Sequence, residues 1–203
     1  MAIMRQIVIN ADDFGLHPAV NRGICRAHRE GVVTSASLMA CGEAFTDAIQ
    51  RLRECPGLGV GIHLTLVEER PVAPPERIAS LVDRDGRLPP SHRQFAGRWL
   101  SRRIRAADVR HELEAQIRRV IEAGVHPTHL DSHQHVHCLP GIWSLVAELA
   151  RAHRIPFVRL PRFETVWRRN PLLWEAPLRF GVNSLAVLRA RRWPQALRRA
   201  DQI

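Results

Sequence analysis

Three short stretches of this chain carry carboxylates and imidazoles at spacings that suit hydrolysis by a metal-activated water. They are Asn10-Ala11-Asp12-Asp13, Gly61-Ile62-His63 and the segment from Thr128 to His137, which holds four of the eleven histidines and one aspartate. Carboxylates and imidazoles at the ends of separate strands provide ligands for a divalent cation and a general base. No other feature of the sequence narrows the function as much.

The elements around these stretches alternate between strands and helices. We predict strands at residues 6–10, 35–40, 58–66, 128–132 and 157–160, and helices at residues 18–31, 44–53, 108–123 and 141–153. This alternation argues for an α/β fold with a parallel sheet and crossover helices. In such folds the side chains at the carboxyl ends of the strands converge on one face. Those side chains are Asp12 and Asp13 after the first strand, His63 at the end of the third, and Asp131 and His133 at the end of the fourth.

Two further segments frame the predicted site. The helix at residues 108–123 has an apolar stripe, with Asp108 as its expected cap and Gly124 at its end. Residues 70–106 are rich in proline and break the strand–helix rhythm, so we predict a loop insertion there. A loop of this length inside a domain is either a lid or substrate wall, or a plain surface insertion.

Each stretch taken alone also has an ordinary structural explanation. Two acids at a helix start are commonly caps or partners of the helix dipole, and a single His63 on an apolar strand is commonly a core residue. The last stretch is the most informative. If its strand continued, period-two geometry would place His129, Asp131, His133, His135 and His137 on one face. These five side chains cannot all bind one ion, and nitrogen and oxygen ligands without thiolate suit Mg²⁺, Mn²⁺ or Zn²⁺.

Taken together, the motifs resemble those of a known family. The residues are Asn10-Ala11-Asp12-Asp13-Phe14-Gly15, Val33-Thr34-Ser35, Gly61-Ile62-His63-Leu64-Thr65, and Pro127-Thr128-His129-Leu130-Asp131-Ser132-His133-Gln134-His135-Val136-His137. The sequence resembles the YdjC-like carbohydrate deacetylases, relatives of the polysaccharide deacetylases, from about residue 5 to residue 161. The resemblance implies a distorted β/α barrel that removes acetyl groups from N-acetylated amino sugars with one bound divalent ion, Mg²⁺ or Zn²⁺.

The resemblance also implies roles for individual residues. Asp13, His63 and His133 would bind the metal, and Asp12 would be the general base. The chemistry agrees, because an amide needs a strong nucleophile and an acid beside the ion can take the proton of the attacking water. The candidates for the proton donor to the leaving amine are His135 and His137, with His135 taken first. Asp131, together with His129 and His137, is expected to lie behind the ligands and hold an imidazole in place.

The family pattern is broken at the carboxyl end. We find no counterpart of the family's late Gly- and Ser-containing loop or its His-Pro strand, and five strands are too few to close a barrel. We therefore expect a single domain over residues 1–203 that lacks the family's last part, with intact ligands and impaired turnover. A partner chain or the segment 162–203 could instead cover the open edge.

Composition limits the compartment and the partners. The chain of 203 residues has a net charge of +10, with nine arginines in residues 162–203. Neither a secretory signal nor an 18-residue apolar run is present, and the cysteines (Cys25, Cys41, Cys55 and Cys138) lack metal or disulfide spacing, so a cytoplasmic protein with free thiols is expected.

Other functions and partners stay open. A phosphoesterase is one alternative, and it would favour two metals. Another is a truncated, inactive homologue that acts as a basic protein for membrane or nucleic acid. No nucleic-acid motif appears, so nucleic acid is not expected as a partner. The Arg/Trp-rich segment 162–203 leaves open a lipid-linked sugar substrate and peripheral membrane contact. A homodimer is also left open.

Overall fold

The computed structural model describes residues 7–160, which form a five-stranded parallel sheet with α-helices between the strands. The strands are β1 Asn10–Phe14, β2 Ser35–Leu38, β3 Gly59–Leu64, β4 His129–Ser132 and β5 Phe157–Val158. The helices are α1 Pro18–Arg29, α2 Phe45–Leu52, α3 His92–Leu100, α4 Ala106–Glu122 and α5 Ile142–Ala152. Residues 1–6 and 161–203 lie outside the described part of the chain, and with them the segment 162–203 and its predicted membrane contact.

The strands are arranged in sequence order, β1-β2-β3-β4-β5, and every neighbouring pair is parallel. Parallel strands joined by right-handed crossovers in this order place their helices on one face of the sheet. The predicted α/β fold with a parallel sheet is therefore confirmed. Consecutive strand order is also that of a β/α barrel. The incomplete barrel that the resemblance implies stays a prediction, since the five strands within residues 7–160 form an open sheet.

The alternation of side chains along the strands separates the core from the site. Ala36, Leu38, Ile62 and Leu130 are fully buried and belong to the apolar core cluster. The positions between them bear the polar side chains Ser37, His63, His129 and Asp131, which hydrogen-bond to one another. The period of two thus gives the sheet one apolar face and one polar face.

The position of the first strand was predicted wrongly. The apolar run at residues 7–9 lies before β1 and is exposed, with Ile7 79% accessible. A run of apolar residues beside a sheet has the same composition as a buried strand, and residues 7–9 were assigned to the strand for this reason. Asp12 and Asp13 consequently lie inside β1, where the pairing with β2 is irregular between Ala11 and Phe14.

The insertion at residues 70–106 is more regular than a loop. It contains a short 3-10 helix, Pro75–Arg77, and the helix α3, which has Ser91 as its N-cap. Asp108 is not a cap, because α4 begins earlier, at Ala106. The buried Asp108 carboxylate instead accepts hydrogen bonds from the backbone and hydroxyl of Ser80 at 2.9 and 2.8 Å and so fastens the insertion to α4.

The histidine segment does not continue as a strand. β4 ends at Ser132, and residues His133–Cys138 form a 3-10 turn in which Gln134 and His135 have left-handed backbone angles. The condition under which the five side chains from His129 to His137 would share one face is therefore not met. The four cysteines are free thiols, as predicted, and none of the helices in the described part of the chain is both long and apolar enough to cross a bilayer.

Candidate active site

Three residues from distant parts of the sequence meet at the carboxyl end of the sheet. Oδ1 of Asp13, on β1, lies 2.9 Å from Nδ1 of His133 and 3.2 Å from Nε2 of His63. Ligands of one tetrahedral ion with bonds of about 2.0–2.1 Å lie roughly 3.3 Å apart, which these distances approach. Asp13, His63 and His133 therefore fit a divalent cation, and the donor set of two imidazoles and a carboxylate suits Zn²⁺ or a similar ion.

The electrostatics of the cluster favour positive charge at this place. Hydrogen bonds to His133 and His63 hold the pKa of Asp13 well below its usual range. Burial opposes the charged form of His63, but hydrogen bonds to Asp13 and Asp131 outweigh it and raise its pKa to about 9. The hydrogen bond to Asp13 also raises the pKa of His133. Carboxylates that stabilise imidazolium here would stabilise a bound cation in the same way.

Asp131 is the buried centre of the polar network behind the cluster. Its side chain is 1% exposed, and its Oδ1 lies 2.7 Å from Nδ1 of His63. Its Oδ2 accepts a hydrogen bond from the Ser37 hydroxyl at 2.8 Å and one from Arg159 at 3.1 Å. A carboxylate on Nδ1 fixes the proton there and turns the Nε2 lone pair toward Asp13. Asp131 thus lies where the sequence analysis expected an orienting group.

Asp12 is close to the cluster but faces a different set of partners. Arg159 donates to both of its oxygens, at 2.8 and 3.1 Å, and the Asn10 amide donates to Oδ1 at 2.8 Å. The Asp12 side chain is 36% exposed, so solvent reaches it. A carboxylate has about four acceptor positions, so these three hydrogen bonds orient Asp12 and leave it able to take a proton.

Arg159 was missed by the sequence analysis. It follows β5, and its guanidinium connects Asp12 to Asp131. The sequence did contain a signal for it, namely an arginine within the predicted apolar strand 157–160. This position lies at the same edge of the sheet as the other polar residues. Asp12, His63 and Asp131 could also surround an ion. Since Arg159 already supplies the positive charge between the two carboxylates, this second set does not favour a second metal.

His129 packs across the polar face of the sheet and depends on a glycine in β3. Its Nε2 lies 3.0 Å from the Ser37 hydroxyl, and burial lowers its pKa. A Cβ added at Gly61 would lie 2.3 Å from the His129 ring. The ring therefore lies over the bare backbone of Gly61, which no larger residue would allow. His129 makes no direct contact with Asp13 or His133 in the described structure and supports the network through Ser37.

The remaining two histidines of the segment differ in their surroundings. His137 is fully buried, it contacts the Ser132 hydroxyl and the backbone carbonyl of Arg159, and burial lowers its pKa to about 4. His135 is half-buried, with its ring 6.3 Å from that of His137. Burial and the nearby charge of Arg159 lower the pKa of His135. His137 is thus a structural member of the turn, and His135 is the more accessible of the two.

Backbone strain is concentrated around this cluster. Asp13, Glu68, Gln134 and His135 all have left-handed backbone angles, with φ between 52° and 70°, although none of them is glycine. Such conformations cost of order 1–3 kcal/mol each and persist where the surroundings enforce them. Four of the six non-glycine residues with this conformation in residues 7–160 thus belong to the cluster or contact it, and the other two are Arg102 and Arg154.

Comparison with known proteins identifies the family of this chain. The model of the YdjC-like protein family matches residues 6–201, well beyond the last motif. A carbohydrate deacetylase from Brevibacillus brevis is 44% identical over 82% of this chain, and a chitooligosaccharide deacetylase from Salmonella typhimurium is 41% identical over 83% of it.

A crystal structure from Enterococcus faecalis, whose description proposes cellobiose-phosphate cleavage, is 34% identical over 78% of this chain, with a TM-score of 0.67. The chain spans 64% of the length of each of the two deacetylases and 59% of that of the crystallised protein. The match covers nearly the whole chain, and the chain therefore belongs to the YdjC-like family.

Proposed function

We propose that this chain hydrolyses the acetamide of an N-acetylated amino sugar, with Asp13, His63 and His133 holding one divalent ion. The observation that carries the proposal is the position of Asp13 Oδ1, 2.9 and 3.2 Å from ring nitrogens of two histidines and beside a separate carboxylate, Asp12. The names of the relatives support the substrate class, since both are deacetylases of carbohydrates.

The roles of the chain's own residues follow from these contacts. A divalent ion bound by the three ligands would lower the pKa of a coordinated water and polarise the acetyl carbonyl. Asp12 would take the proton of the attacking water, since it is exposed and is oriented by Asn10 and Arg159. His135 is proposed to donate a proton to the leaving amine. It would do so as an imidazolium, and the burial and the charge of Arg159 that lower its pKa make this imidazolium a stronger acid.

The ion is proposed to be Zn²⁺ or Mg²⁺, and the substrate an oligosaccharide or glycolipid. Two nitrogen ligands favour Zn²⁺, whereas Mg²⁺ usually keeps several waters and prefers oxygen. Lipid linkage, contact with a membrane surface, dimerisation and a cytoplasmic location are further proposals. None of them alters the role of the site.

The proposal is tested by acetate release from N-acetylglucosamine oligomers, combined with metal analysis of the same protein. We expect acetate only when zinc or magnesium is supplied. Asp12→Asn should retain the metal and lower kcat by about 10²–10⁴-fold, the usual contribution of a general base. His133→Ala should lose both metal and activity. Asp85→Asn, which removes an exposed acid of the insertion, is the matched control and should behave like the parent.

Two results would contradict the proposal. One is acetate release that is unchanged by Asp12→Asn. The other is release of phosphate from a phosphoester, with no acetate from the oligomers, which would identify a phosphoesterase. The metal analysis tests the ligands even if turnover is slow.

A further inference from the structure

Both proposed imidazole ligands have a carboxylate on the ring nitrogen that faces away from Asp13. For His63 this carboxylate is Asp131, at 2.7 Å from Nδ1. For His133 it is Glu68, whose Oε2 lies 3.2 Å from Nε2. Glu68 follows β3 by a few residues and lies outside every motif that the sequence analysis singled out. The two histidines therefore have the same arrangement, with a carboxylate behind each ring, although the two carboxylates come from different segments of the chain.

Glu68 is held in place from several directions. Its backbone is left-handed, with φ of 70°, and its N–H donates to the carbonyl of Pro89 at 2.8 Å. Its Oε1 accepts a hydrogen bond from the Gln134 amide at 2.6 Å. Gln134 in turn accepts through Oε1 from the backbone N–H of His92 at the start of α3. Contacts from its own loop, from the insertion and from the histidine turn therefore hold the strained backbone of Glu68 in one position.

We propose that Glu68 is a positioning residue that fixes the His133 imidazole for metal binding, an inference that rests on the proposed function. A neutral imidazole carries one N–H, and a carboxylate at Nε2 selects the form with that proton on Nε2. The lone pair of Nδ1 is then directed at Asp13 and at the ion. Glu68 thus orients the His133 ring as Asp131 orients the His63 ring. Because Pro89 and His92 of the insertion hold Glu68 and Gln134, the insertion at residues 70–106 contributes to the metal site.

The competing explanation is a surface ion pair with little effect. Glu68 is 41% exposed at its side chain, and exposed pairs of this kind contribute about 0–1 kcal/mol to stability. The two explanations predict different effects of a Glu68 substitution on metal affinity. An ordinary surface pair leaves metal affinity unchanged, whereas loss of a carboxylate behind a ligand histidine lowers it by 10–100-fold. Because Glu68 is partly exposed and its contact is 3.2 Å long, we expect about tenfold.

The test measures Zn²⁺ affinity by competition with a chromophoric chelator, in the full chain. Glu68→Ala should weaken zinc binding about tenfold, and Glu68→Gln, whose amide oxygen still accepts a hydrogen bond, should weaken it less. Glu76→Ala is the matched control. It removes the same charge from an exposed position of the insertion, in the 3-10 helix Pro75–Arg77. Its zinc affinity should stay within twofold of the parent.

A second readout follows the ring protons directly by NMR of the zinc-loaded protein. The Nε2 proton of His133 should give a resolved downfield signal in the parent that is broadened in Glu68→Ala by exchange with water. The Nδ1 proton of His63, bound to Asp131, should be unchanged and serves as the internal reference. Zinc affinity within twofold of the parent, with the His133 signal intact, would overturn the inference alone. A parent that binds no zinc would overturn the proposed metal site and this inference together.

Discussion

Asp131→Asn is the substitution that most directly tests the network behind the site. The side chain is almost completely buried and is an acceptor on both oxygens, from His63 on one side and from Ser37 and Arg159 on the other. Burial disfavours the ionised carboxyl, but the hydrogen bond and charge of His63 hold the pKa of Asp131 below its usual range. The residue is therefore charged at neutral pH.

Asparagine cannot replace these contacts in either orientation. With its oxygen toward His63, its NH₂ group points at the hydroxyl of Ser37 and at the guanidinium of Arg159, which are donors to Asp131 in the parent. With its NH₂ toward His63, it forces Nδ1 to accept, and the ring proton moves to Nε2. That nitrogen is the one 3.2 Å from Asp13, so the lone pair needed for the metal is lost.

The expected losses of zinc affinity and of stability follow from the loss of the group that orients His63. Loss of a group that orients a ligand histidine weakens metal binding about 10–100-fold, which corresponds to about 1.4–2.7 kcal/mol. An unsatisfied buried donor costs about 1–3 kcal/mol of unfolding free energy. Because Arg159 keeps Asp12 as a partner, we expect the cost not to exceed this range.

The assay combines zinc competition with urea unfolding. Asp108→Asn is the matched control, since Asp108 is also a buried aspartate bound to a serine and an arginine, away from the site. It should lose stability and keep its zinc affinity. If Asp131→Asn binds zinc within twofold of the parent, the reasoning that Asp131 fixes the His63 ring is refuted.

Two further predictions concern other contacts of the polar face. Gly61→Ala places a Cβ 2.3 Å from the His129 ring, so the ring must leave Ser37. Overpacking of this kind costs about 1–3 kcal/mol of unfolding free energy. Urea unfolding that shows no loss of stability would contradict the close contact between Gly61 and the His129 ring. His137 titrates near 6.5 when unfolded, whereas burial lowers its pKa to about 4 in the fold. Below pH 6.5 the unfolded chain therefore binds a proton that the folded chain does not, and stability falls by about 1.4 kcal/mol per pH unit down to about pH 4, a total of about 3 kcal/mol. Unfolding between pH 7.5 and 4.5 should show a smaller loss in His137→Gln than in the parent, and equal pH slopes would show that His137 is not responsible.

The convergence of the site could be predicted because it depends on topology. Parallel strands in sequence order bring their carboxyl ends together, and the register pairs His63 with Asp131 on adjacent strands. Residue type and position along a strand were therefore enough to group Asp12, Asp13, His63, Asp131 and His133, which are at most 121 positions apart. The family resemblance then selected Asp13, His63 and His133 among them as the metal ligands. The roles of these residues stay predictions until the experiments above are made.

The contacts that complete the site could not be predicted in the same way. Arg159 reaches Asp12 across 147 positions of sequence, and Glu68 reaches His133 across 65. Both contacts depend on side-chain direction and on loop geometry, neither of which leaves a periodic pattern. The insertion was predicted as a loop because its prolines conceal the short helix α3, whose first residue, His92, contacts the histidine turn.

The backbone of the histidine turn shows why such sites escape prediction by local pattern. A turn through left-handed angles is normally signalled by glycine, asparagine or aspartate, which adopt them at low cost. Here Gln134 and His135 adopt them. Tertiary contacts compensate for the strain, since Gln134 is bound to both Glu68 and His92. A strand that ended in a glycine turn would release the histidines to move independently, whereas this turn holds His133 against Asp13 only while the surrounding segments are folded. The position of His133 therefore depends on the contacts that Gln134 makes with Glu68 and with the start of α3.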